Sequence, residues 1–393
     1  MVERPQGSGI WRLRAYVGRD PVSGSPIQLH RTFHGSERAA GKELAKLVTE
    51  AEGRTAVAMD RSTATVGQLL DRWLEHRVAL GKVRPKTAYE YERKIEGRIK
   101  PVLGEVKLRQ LTPAQLDHAY AAWLADGLSP STVRVYHSIL SAACRQAVKW
   151  DLLDRAPTER ASAPAAASTT MRVPTPAQLS ALVGSAEKSD PVLAAAVALA
   201  ALTGARRGEL VALRWSDIDL EAGAVTIERG ITVVDRVAIE GPTKTHQSRR
   251  VALDGIGIEV LRRHWRFVTD RSELVESPLV DDPYVLSYQA HSGTPVSPDT
   301  LTHRFASLCD ALEAKEKRAG AKRGKKVEPY GFHFHELRHF SVTTLLAAGV
   351  DIRTVAERHG HAQATMTLNR YAHALPERDR AAAGVLGSAL KAG

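Results

Sequence analysis

The sequence predicts an α+β protein built from three successive units. These are a small β-sheet-plus-helix unit at the N-terminus, an all-helical unit, and a mainly helical unit with a small antiparallel sheet. Residues 11–33 alternate apolar and polar side chains as strands do, whereas residues 66–149 carry apolar side chains at helical spacing. Residues 157–174 are rich in Ala, Pro, Ser and Thr, which is typical of a linker. The chain of 393 residues is also longer than one hydrophobic core usually serves.

The N-terminal unit is predicted from two alternating stretches, 11–17 and 27–33, joined by a turn that contains Pro and Gly. They are expected to form a β-hairpin, and Ser36 is the expected N-cap of the helix that follows. Arg12 and Arg14 lie on the first strand, so this sheet can offer a basic face to DNA. A small structural module without a ligand explains the same segment almost as well.

The all-helical unit begins with a stripe of apolar residues at helical spacing that starts at Val66. Pro85 and Ser129 mark the starts of later helices, because Pro is tolerated in the first turn and a serine hydroxyl can cap it. Basic side chains in this unit are candidates for contacts with DNA phosphates, although a solvated charged face explains each of them equally well. They are Lys82, Arg84, Lys86 and Arg134.

The composition narrows the classes of function. A formal net charge of +11 favours a polyanionic partner, nucleic acid first, while a charge that only aids solubility is the alternative. Two cysteines, Cys144 and Cys309, exclude a disulfide framework and a cysteine-based zinc site. The first ten residues are polar, and the most apolar run, 192–202, is too short to cross a bilayer. We therefore expect a cytoplasmic protein without a membrane partner.

The third unit contains five polar clusters that share no periodicity and are expected to contribute to one site. In the first, 203–210, Gly204 is expected to end a buried helix and Glu209 to begin the next, so that Arg206 falls in the tight connection between them. A guanidinium held there can bind two phosphate oxygens at once, which a lysine cannot do. Arg207 is the alternative for this inward-facing role.

The other four clusters add a lysine, several histidines, a second arginine and a tyrosine. In chain order they are Lys244 with Ser248-Arg249, the segment His335-Glu336-Leu337-Arg338-His339, the pair Gly360-His361, and Asn369-Arg370-Tyr371. His335 and Arg338 are three residues apart, so a helix would place them on one face. His359 is the alternative to His361.

Taken together, these clusters resemble the signature of the tyrosine recombinase family, to which phage integrases belong. The matching elements are Thr203-Gly-x-Arg206-x-Gly-Glu209-Leu, Lys244, His335-x-x-Arg338-His339, Gly360-His361 and Arg370-Tyr371, in the family's order and at suitable spacing. Two departures stand out: Glu336 replaces the usual aspartate, and His359 replaces the common leucine before Gly360. Neither falls on an expected catalytic position.

The resemblance implies a domain organisation and a set of partners. The implied domains are an arm-type DNA-binding-like domain at 1–55, a helical core-binding domain at 62–156, a linker at 157–174 and the catalytic domain at 175–393. The implied partners are double-stranded DNA attachment sites and, in a homotetramer on DNA, three further copies of the chain, with a C-terminal helix at 378–390 docking on the neighbouring subunit. Participation of a directionality factor and of a DNA-bending host protein is left open. The place of action would be the bacterial cytoplasm, on the nucleoid.

By the same resemblance, the chain is expected to cut and rejoin DNA, integrating or excising a mobile element, through a 3′-phosphotyrosine at Tyr371. Arg206 and Arg338 would hold the phosphate, with a further hydrogen bond from His361, and Lys244 would protonate the leaving oxygen. Because the arginines supply the positive charge, no metal, ATP or other cofactor is expected.

Supporting roles are expected for three further residues of the clusters. His335 would assist removal of the tyrosine proton, while Glu209 and His339 would orient their neighbours. The run 315–326 contains seven Lys or Arg residues and is expected to be a flexible basic loop. It can grip the phosphate backbone or be solvated without a ligand. The side chains in question are Lys322, Arg323, Lys325 and Lys326.

Three rival interpretations compete with recombination. His335-Glu336-x-x-His339 also matches the zinc-hydrolase pattern, but Arg338 would repel the metal, and Arg206 and Tyr371 would have no purpose there. A DNA-binding protein of the same fold without catalysis would not need the complete set of site residues. A type IB topoisomerase shares the chemistry, yet the arm-like N-terminal unit favours integration over relaxation of supercoils.

Overall fold

A computed structural model of the chain describes residues 2–3, 9–19, 26–57, 63–165, 172–243, 248–321 and 328–360. The chain forms two compact units, residues 1–168 and 169–393. Helices dominate both, and small antiparallel sheets accompany them, so the predicted α+β class is confirmed. Within the described ranges, no helix is long and apolar enough to cross a membrane.

The first unit opens with a three-stranded antiparallel sheet covered by one helix. Its elements are β1 (Val2–Glu3), β2 (Ile10–Arg19), β3 (Pro26–His34) and α1 (Glu37–Val57), with the strands in the order β1-β2-β3. Leu13 and Ala15 of β2 are buried in a small core with residues of α1, while Arg12 and Arg14 alternate with them and are exposed. The Ala39 amide donates to the Ser36 hydroxyl. The predicted hairpin and cap are therefore confirmed.

The rest of the first unit is helical and has its own core. Its helices are α2 (Val66–Ala79), α3 (Pro85–Lys94), α4 (Lys100–Leu103), α5 (Pro113–Ala125) and α6 (Pro130–Lys149). A π-helical turn, Ile95–Ile99, joins α3 to α4. The predicted helix starts at Pro85 and after Ser129 are confirmed, and the Ser129 hydroxyl accepts a hydrogen bond from the Thr132 amide at 3.2 Å.

The first part of the predicted linker is packed against the helical core. Pro157–Arg160 form a short 3₁₀ helix in which Thr158 is buried. Beyond it, the Ser162 amide donates to the Asp117 carboxylate at 2.6 Å, and the Arg134 guanidinium donates to the Pro164 carbonyl at 2.9 Å. The part of the predicted linker up to Pro164 is therefore held against the helical core.

The second unit surrounds a buried apolar helix, as the run 192–202 predicts. Its helices are α7 (Pro176–Ser189), α8 (Pro191–Thr203), α9 (Arg207–Val211), α10 (Gly255–Leu274), α11 (Pro298–Ala321), α12 (Glu336–Ala347) and α13 (Ile352–His359). Its strands are β4 (Ile218–Asp219), β5 (Ala224–Ile227), β6 (Arg229–Val234), β7 (Val237–Pro242) and β8 (Arg249–Ala252). One sheet has the order β4-β5-β8, and β6 pairs with β7. Helix α8 lies in the centre of the core.

Three details of this unit differ from the sequence-based expectation. Helix α9 begins at Arg207, two positions before the expected start at Glu209. Strand β7 cannot be predicted from the sequence, because its residues are almost all exposed and so lack the alternation that marks a half-buried strand. The expectation of a flexible loop at 315–326 is wrong for its first part: α11 extends to Ala321, and Lys317 forms an ion pair with Glu313 one turn earlier at 2.6 Å.

A buried histidine on α10 makes the stability of this unit depend on pH. His264 donates through Nε2 to the Val285 carbonyl at 2.7 Å and stacks against Trp215. Burial lowers its pKa to about 4, against an ordinary value of 6.5. Between pH 6.5 and 4, His264 is therefore protonated in the unfolded chain but not in the folded chain. Its contribution to the unfolding free energy is fully present above pH 6.5 and is lost as the pH falls towards 4.

Lowering the pH from 7.5 to 5 is therefore expected to remove roughly 2 kcal/mol of unfolding free energy through this one side chain. The measurement is urea unfolding of the full chain at both pH values, with His264→Gln as the comparison. Glutamine can still donate to the Val285 carbonyl but does not titrate. An equal loss in wild type and variant would show that His264 is not the responsible group.

Candidate functional site

The site begins at the turn that ends α8. The Thr203 hydroxyl donates to the Leu199 carbonyl at 2.6 Å and accepts from the Ala205 amide at 3.1 Å, which fixes the turn. Gly204 has a φ of +61°, and a Cβ there would lie 2.2 Å from the His359 ring. Both the left-handed backbone and the close approach require glycine at this position.

The turn directs Arg206 and Arg207 to different places. Arg206 donates to the Glu209 carboxylate through its amide at 2.9 Å and through Nη1 at 2.7 Å, and its Nη2 donates to the Gly360 carbonyl at 2.9 Å. Arg207 instead donates to the Thr302 hydroxyl on α11. Of the two alternatives in the sequence, Arg206 is the arginine that faces the other clusters.

The second arginine meets the same turn from α12. Arg338 is only 4% exposed, and it donates to the Gly204 carbonyl at 2.5 Å and to the His359 carbonyl at 2.6 Å. Gly360 follows α13 with a φ of +62° and turns the chain there. As a result, the His359 carbonyl accepts a hydrogen bond from Arg338 and the Gly360 carbonyl accepts one from Arg206. Two clusters 132 residues apart in sequence therefore place positive charge side by side.

His359 itself is a core residue. Its ring is fully buried, with Nδ1 at 2.8 Å from the Val355 carbonyl and Nε2 at 3.1 Å from the Ser341 hydroxyl. Since both ring nitrogens are engaged inside the core, His359 is not available to bind a substrate. His361, the other alternative, lies outside the described residues.

The two histidines of the third cluster, His335 and His339, differ in exposure. His335 is exposed immediately before α12, and its ring meets the buried His339 ring edge to face at 4.7 Å between centroids. Glu336 accepts the His333 amide at 2.8 Å, which is a local helix-start contact. In the part of the chain that the structure describes, no third His, Cys, Asp or Glu joins this pair in a group that could hold a metal. The zinc-hydrolase interpretation thus finds no complete ligand set there.

Glu209 connects this site to Arg249, a member of the second cluster for which the sequence predicts no role. Its carboxylate, 3% exposed, accepts from Arg249 Nη2 at 2.6 Å as well as from Arg206. Burial raises the pKa of Glu209, but the hydrogen bond and charge of Arg249, with the Arg206 amide and charge, lower it below its ordinary value. The carboxylate is therefore ionised between two guanidiniums. No spacing rule could have predicted this pairing, because Arg249 is 40 residues from Glu209.

Several predicted site residues lie outside the described ranges. They are Lys244, His361, Tyr371, and Lys322, Arg323, Lys325 and Lys326. The ends of the segment around Lys244 are defined, because β7 ends at Pro242 and β8 begins at Arg249. These two strands belong to different sheets, so the segment connects them.

The candidate DNA contacts of the first unit are mostly accessible. Arg12 and Arg14 lie on one exposed face of β2, opposite Thr32 and His30 of β3. Lys82 and Arg84 are exposed before α3, and Lys86 is half-buried. Arg134 is exposed as well, but its guanidinium already serves the Pro164 carbonyl.

Comparison with known proteins gives matches over both units. Residues 172–378 match the phage integrase family, and residues 65–124 match the N-terminal SAM-like domain of phage integrases. Among curated proteins, the chain is 25% identical to a XerC-like tyrosine recombinase of Caldanaerobacter subterraneus, with 94% of each chain covered. It is 28% identical to an integrase of Streptomyces ambofaciens, with 92% of this chain and 88% of the relative covered.

Solved structures share the fold. The Tn1549 transposon integrase bound to transposon right end DNA matches with a TM-score of 0.70 at 22% identity, covering 82% of this chain and 100% of that one. A lambda integrase tetramer bound to a Holliday junction matches with a TM-score of 0.55 at 22% identity, covering 92% and 95% of the two chains.

Proposed function

Because the chain belongs to the phage integrase family of site-specific DNA recombinases, we propose that it cuts and rejoins DNA attachment sites through a 3′-phosphotyrosine formed by Tyr371. The observation that carries this proposal is the convergence of Arg206 and Arg338 on the carbonyls of residues 360 and 359. Two rigidly held guanidiniums at one place suit a phosphodiester, whose non-bridging oxygens gain charge in the transition state.

In the cleavage step, the Tyr371 oxygen forms a bond to phosphorus while the bond from phosphorus to the 5′ oxygen breaks. Arg206 and Arg338 bind the non-bridging oxygens, and His361 adds a hydrogen bond to the same phosphate. Lys244 gives a proton to the departing 5′ oxygen. His335, exposed at the start of α12, assists removal of the tyrosine proton.

Rejoining is the same step in reverse on a new partner strand. A 5′ hydroxyl attacks the phosphotyrosine, the bond to Tyr371 breaks, and the tyrosine oxygen regains its proton. Because the phosphotyrosine stores the energy of the broken bond, the proposal requires no ATP. Because Arg206 and Arg338 supply the positive charge, it requires no divalent metal.

Because recombination exchanges strands between two duplexes, the proposal includes a homotetramer on DNA. The support for it is the likeness to the lambda integrase tetramer bound to a Holliday junction. Residues 1–55 would bind arm-type DNA, 62–156 the core site, and 175–393 would carry the chemistry. The exposed face with Arg12 and Arg14 is the support for DNA binding by the first of these. The proposed place of action is the bacterial cytoplasm, and the participation of a directionality factor and of a DNA-bending host protein is left open.

The test is covalent trapping in the presence of a chelator. Nicked duplexes are chosen because the full chain binds them specifically, and wild type and Tyr371→Phe are incubated with them and run on a denaturing gel. We expect an adduct with wild type alone. No adduct from wild type on specifically bound DNA would favour a DNA-binding protein without catalysis, and adducts that vanish only in chelator would favour metal-dependent chemistry.

A further inference from the structure

Arg249 occupies a position between three parts of the site. It is the first residue of β8, five residues after Lys244 in sequence, and its side chain is 8% exposed. Its Nη2 donates to the Glu209 carboxylate at 2.6 Å, and its Nε donates to the Arg358 carbonyl at 3.0 Å. One planar guanidinium thus joins the strand that follows Lys244 to the Arg206 turn and to the last turn of α13.

The same guanidinium restricts what can stand at position 360. A Cβ on residue 360 would lie 3.0 Å from Arg249 Nη1 and 3.3 Å from its central carbon. A side chain at position 360 would therefore be tight against Arg249, and the left-handed φ of +62° independently favours glycine there. The carbonyl of Gly360 is also the acceptor for Arg206.

A second arginine strengthens this connection from the other side. The Arg358 guanidinium donates to the Leu202 carbonyl at 2.8 Å, near the end of α8, and to the Ala252 carbonyl at 3.0 Å, at the end of β8. The segment before His361 is therefore tied to β8 twice, once through the Arg358 side chain and once through its carbonyl.

Resting on the proposed function, we propose that Arg249 is a positioning residue for strand cleavage. It keeps the Glu209 carboxylate ionised and in place, so that Glu209 holds Arg206, and it fixes the turn at Gly360 that precedes His361. The charge of Arg249 is already paired with the buried Glu209 carboxylate, its Nε donates to the Arg358 carbonyl, and its Nη1 is buried, so the guanidinium is directed into the protein. It therefore acts through Arg206 and the turn, and has no direct part in DNA binding.

The experiment compares Arg249→Met, Arg249→Lys and, as a matched control, Arg250→Met. Arg250 is the next residue of the same strand, but its side chain is 58% exposed and pairs with Asp219 at 2.7 Å, away from the site. DNA affinity and the single-turnover cleavage rate at saturating DNA are measured separately. We expect Arg249→Met to lower the rate roughly ten- to hundredfold, because small misplacements of reacting groups have effects of that size. DNA affinity should stay within about twofold.

Two further results separate positioning from general loss of structure. Arg249→Lys should restore part of the rate, since an ammonium can pair with Glu209 but cannot also bond the Arg358 carbonyl in the same fork. If Arg249 acts through Glu209, the double variant Arg249→Met with Glu209→Gln should be no slower than the slower single variant. The proposal would be overturned if the rate losses of the two single variants multiplied in the double variant. It would also be overturned if Arg249→Met bound DNA weakly but cleaved at the normal rate at saturating DNA.

Amide hydrogen exchange in the DNA-free protein needs no cleavage activity. Peptides covering 203–210 and 352–360 should exchange faster in Arg249→Met than in wild type and Arg250→Met, with other core peptides unchanged. Equal exchange would overturn the proposal. The two proposals can also fail separately. If wild type binds DNA without cleaving it, but Arg249→Met still shows the faster local exchange, the proposed chemistry is refuted while the role of Arg249 in fixing the turn is supported. Should Arg249→Met fail to fold, Arg249→Lys carries the same comparisons.

Discussion

Arg206→Ala is expected to slow single-turnover DNA cleavage by roughly a hundredfold, equivalent to about 3 kcal/mol of barrier. The guanidinium faces the turn at Gly360 beside Arg338, where the proposed phosphate would lie. Alanine removes one of the two charges that stabilise the transition state. The rate of adduct formation on nicked duplexes at saturating protein measures the effect without a contribution from DNA affinity.

The adjacent residue provides the control. Arg207 has the same charge, but its guanidinium contacts Thr302 and lies 3.5 Å from Asp299, both on α11. Arg207→Ala should therefore cleave at close to the wild-type rate. A large loss with Arg207→Ala and a small one with Arg206→Ala would mean that the two arginines have been assigned the wrong way round.

Gly204→Ala is expected to destabilise the second unit by about 3 kcal/mol or more, because a left-handed backbone strain and a clash in a packed core add together. The new Cβ would lie 2.2 Å from the His359 ring, which is itself fixed by Val355 and Ser341. Neither side can yield without disturbing the carbonyls that hold Arg338.

Gly349→Ala separates the two contributions. Gly349 also has a positive φ, +87°, but a Cβ there meets nothing within 4 Å. Gly349→Ala should therefore lower the free energy of unfolding only by the backbone contribution, about 1–2 kcal/mol. Urea unfolding of both variants gives the comparison. Equal losses would show that the close approach to His359 contributes nothing, and that backbone strain alone accounts for the glycine.

Local patterns in the sequence predicted most of the fold. The apolar run 192–202 is the buried helix at the centre of the second unit, Ser129 caps α6, and the alternation around Leu13 and Arg12 produces a sheet with one buried and one exposed face. In each case the information lies within a few residues, because capping and periodicity are local properties.

Other features depend on contacts between distant parts of the chain. Arg206 and Arg207 are neighbours with the same chemistry, and only the direction of the turn separates them. Arg249 belongs to the cluster around Lys244, but it contacts Glu209 and the Arg358 carbonyl, 40 and 109 residues away, so no local pattern reveals these contacts. The basic run at 315–326 has the composition of a loop, yet its first part continues α11 and is paired with Glu313.

The most direct test of the account identifies the residue that carries the DNA. The adduct formed on a nicked duplex in chelator is digested with protease and nuclease, and mass spectrometry locates the remaining nucleotide on the peptides. The account predicts a single modified peptide, with a 3′-linked nucleotide on Tyr371. A nucleotide on any other of the nine tyrosines, or on a serine or histidine, would contradict it.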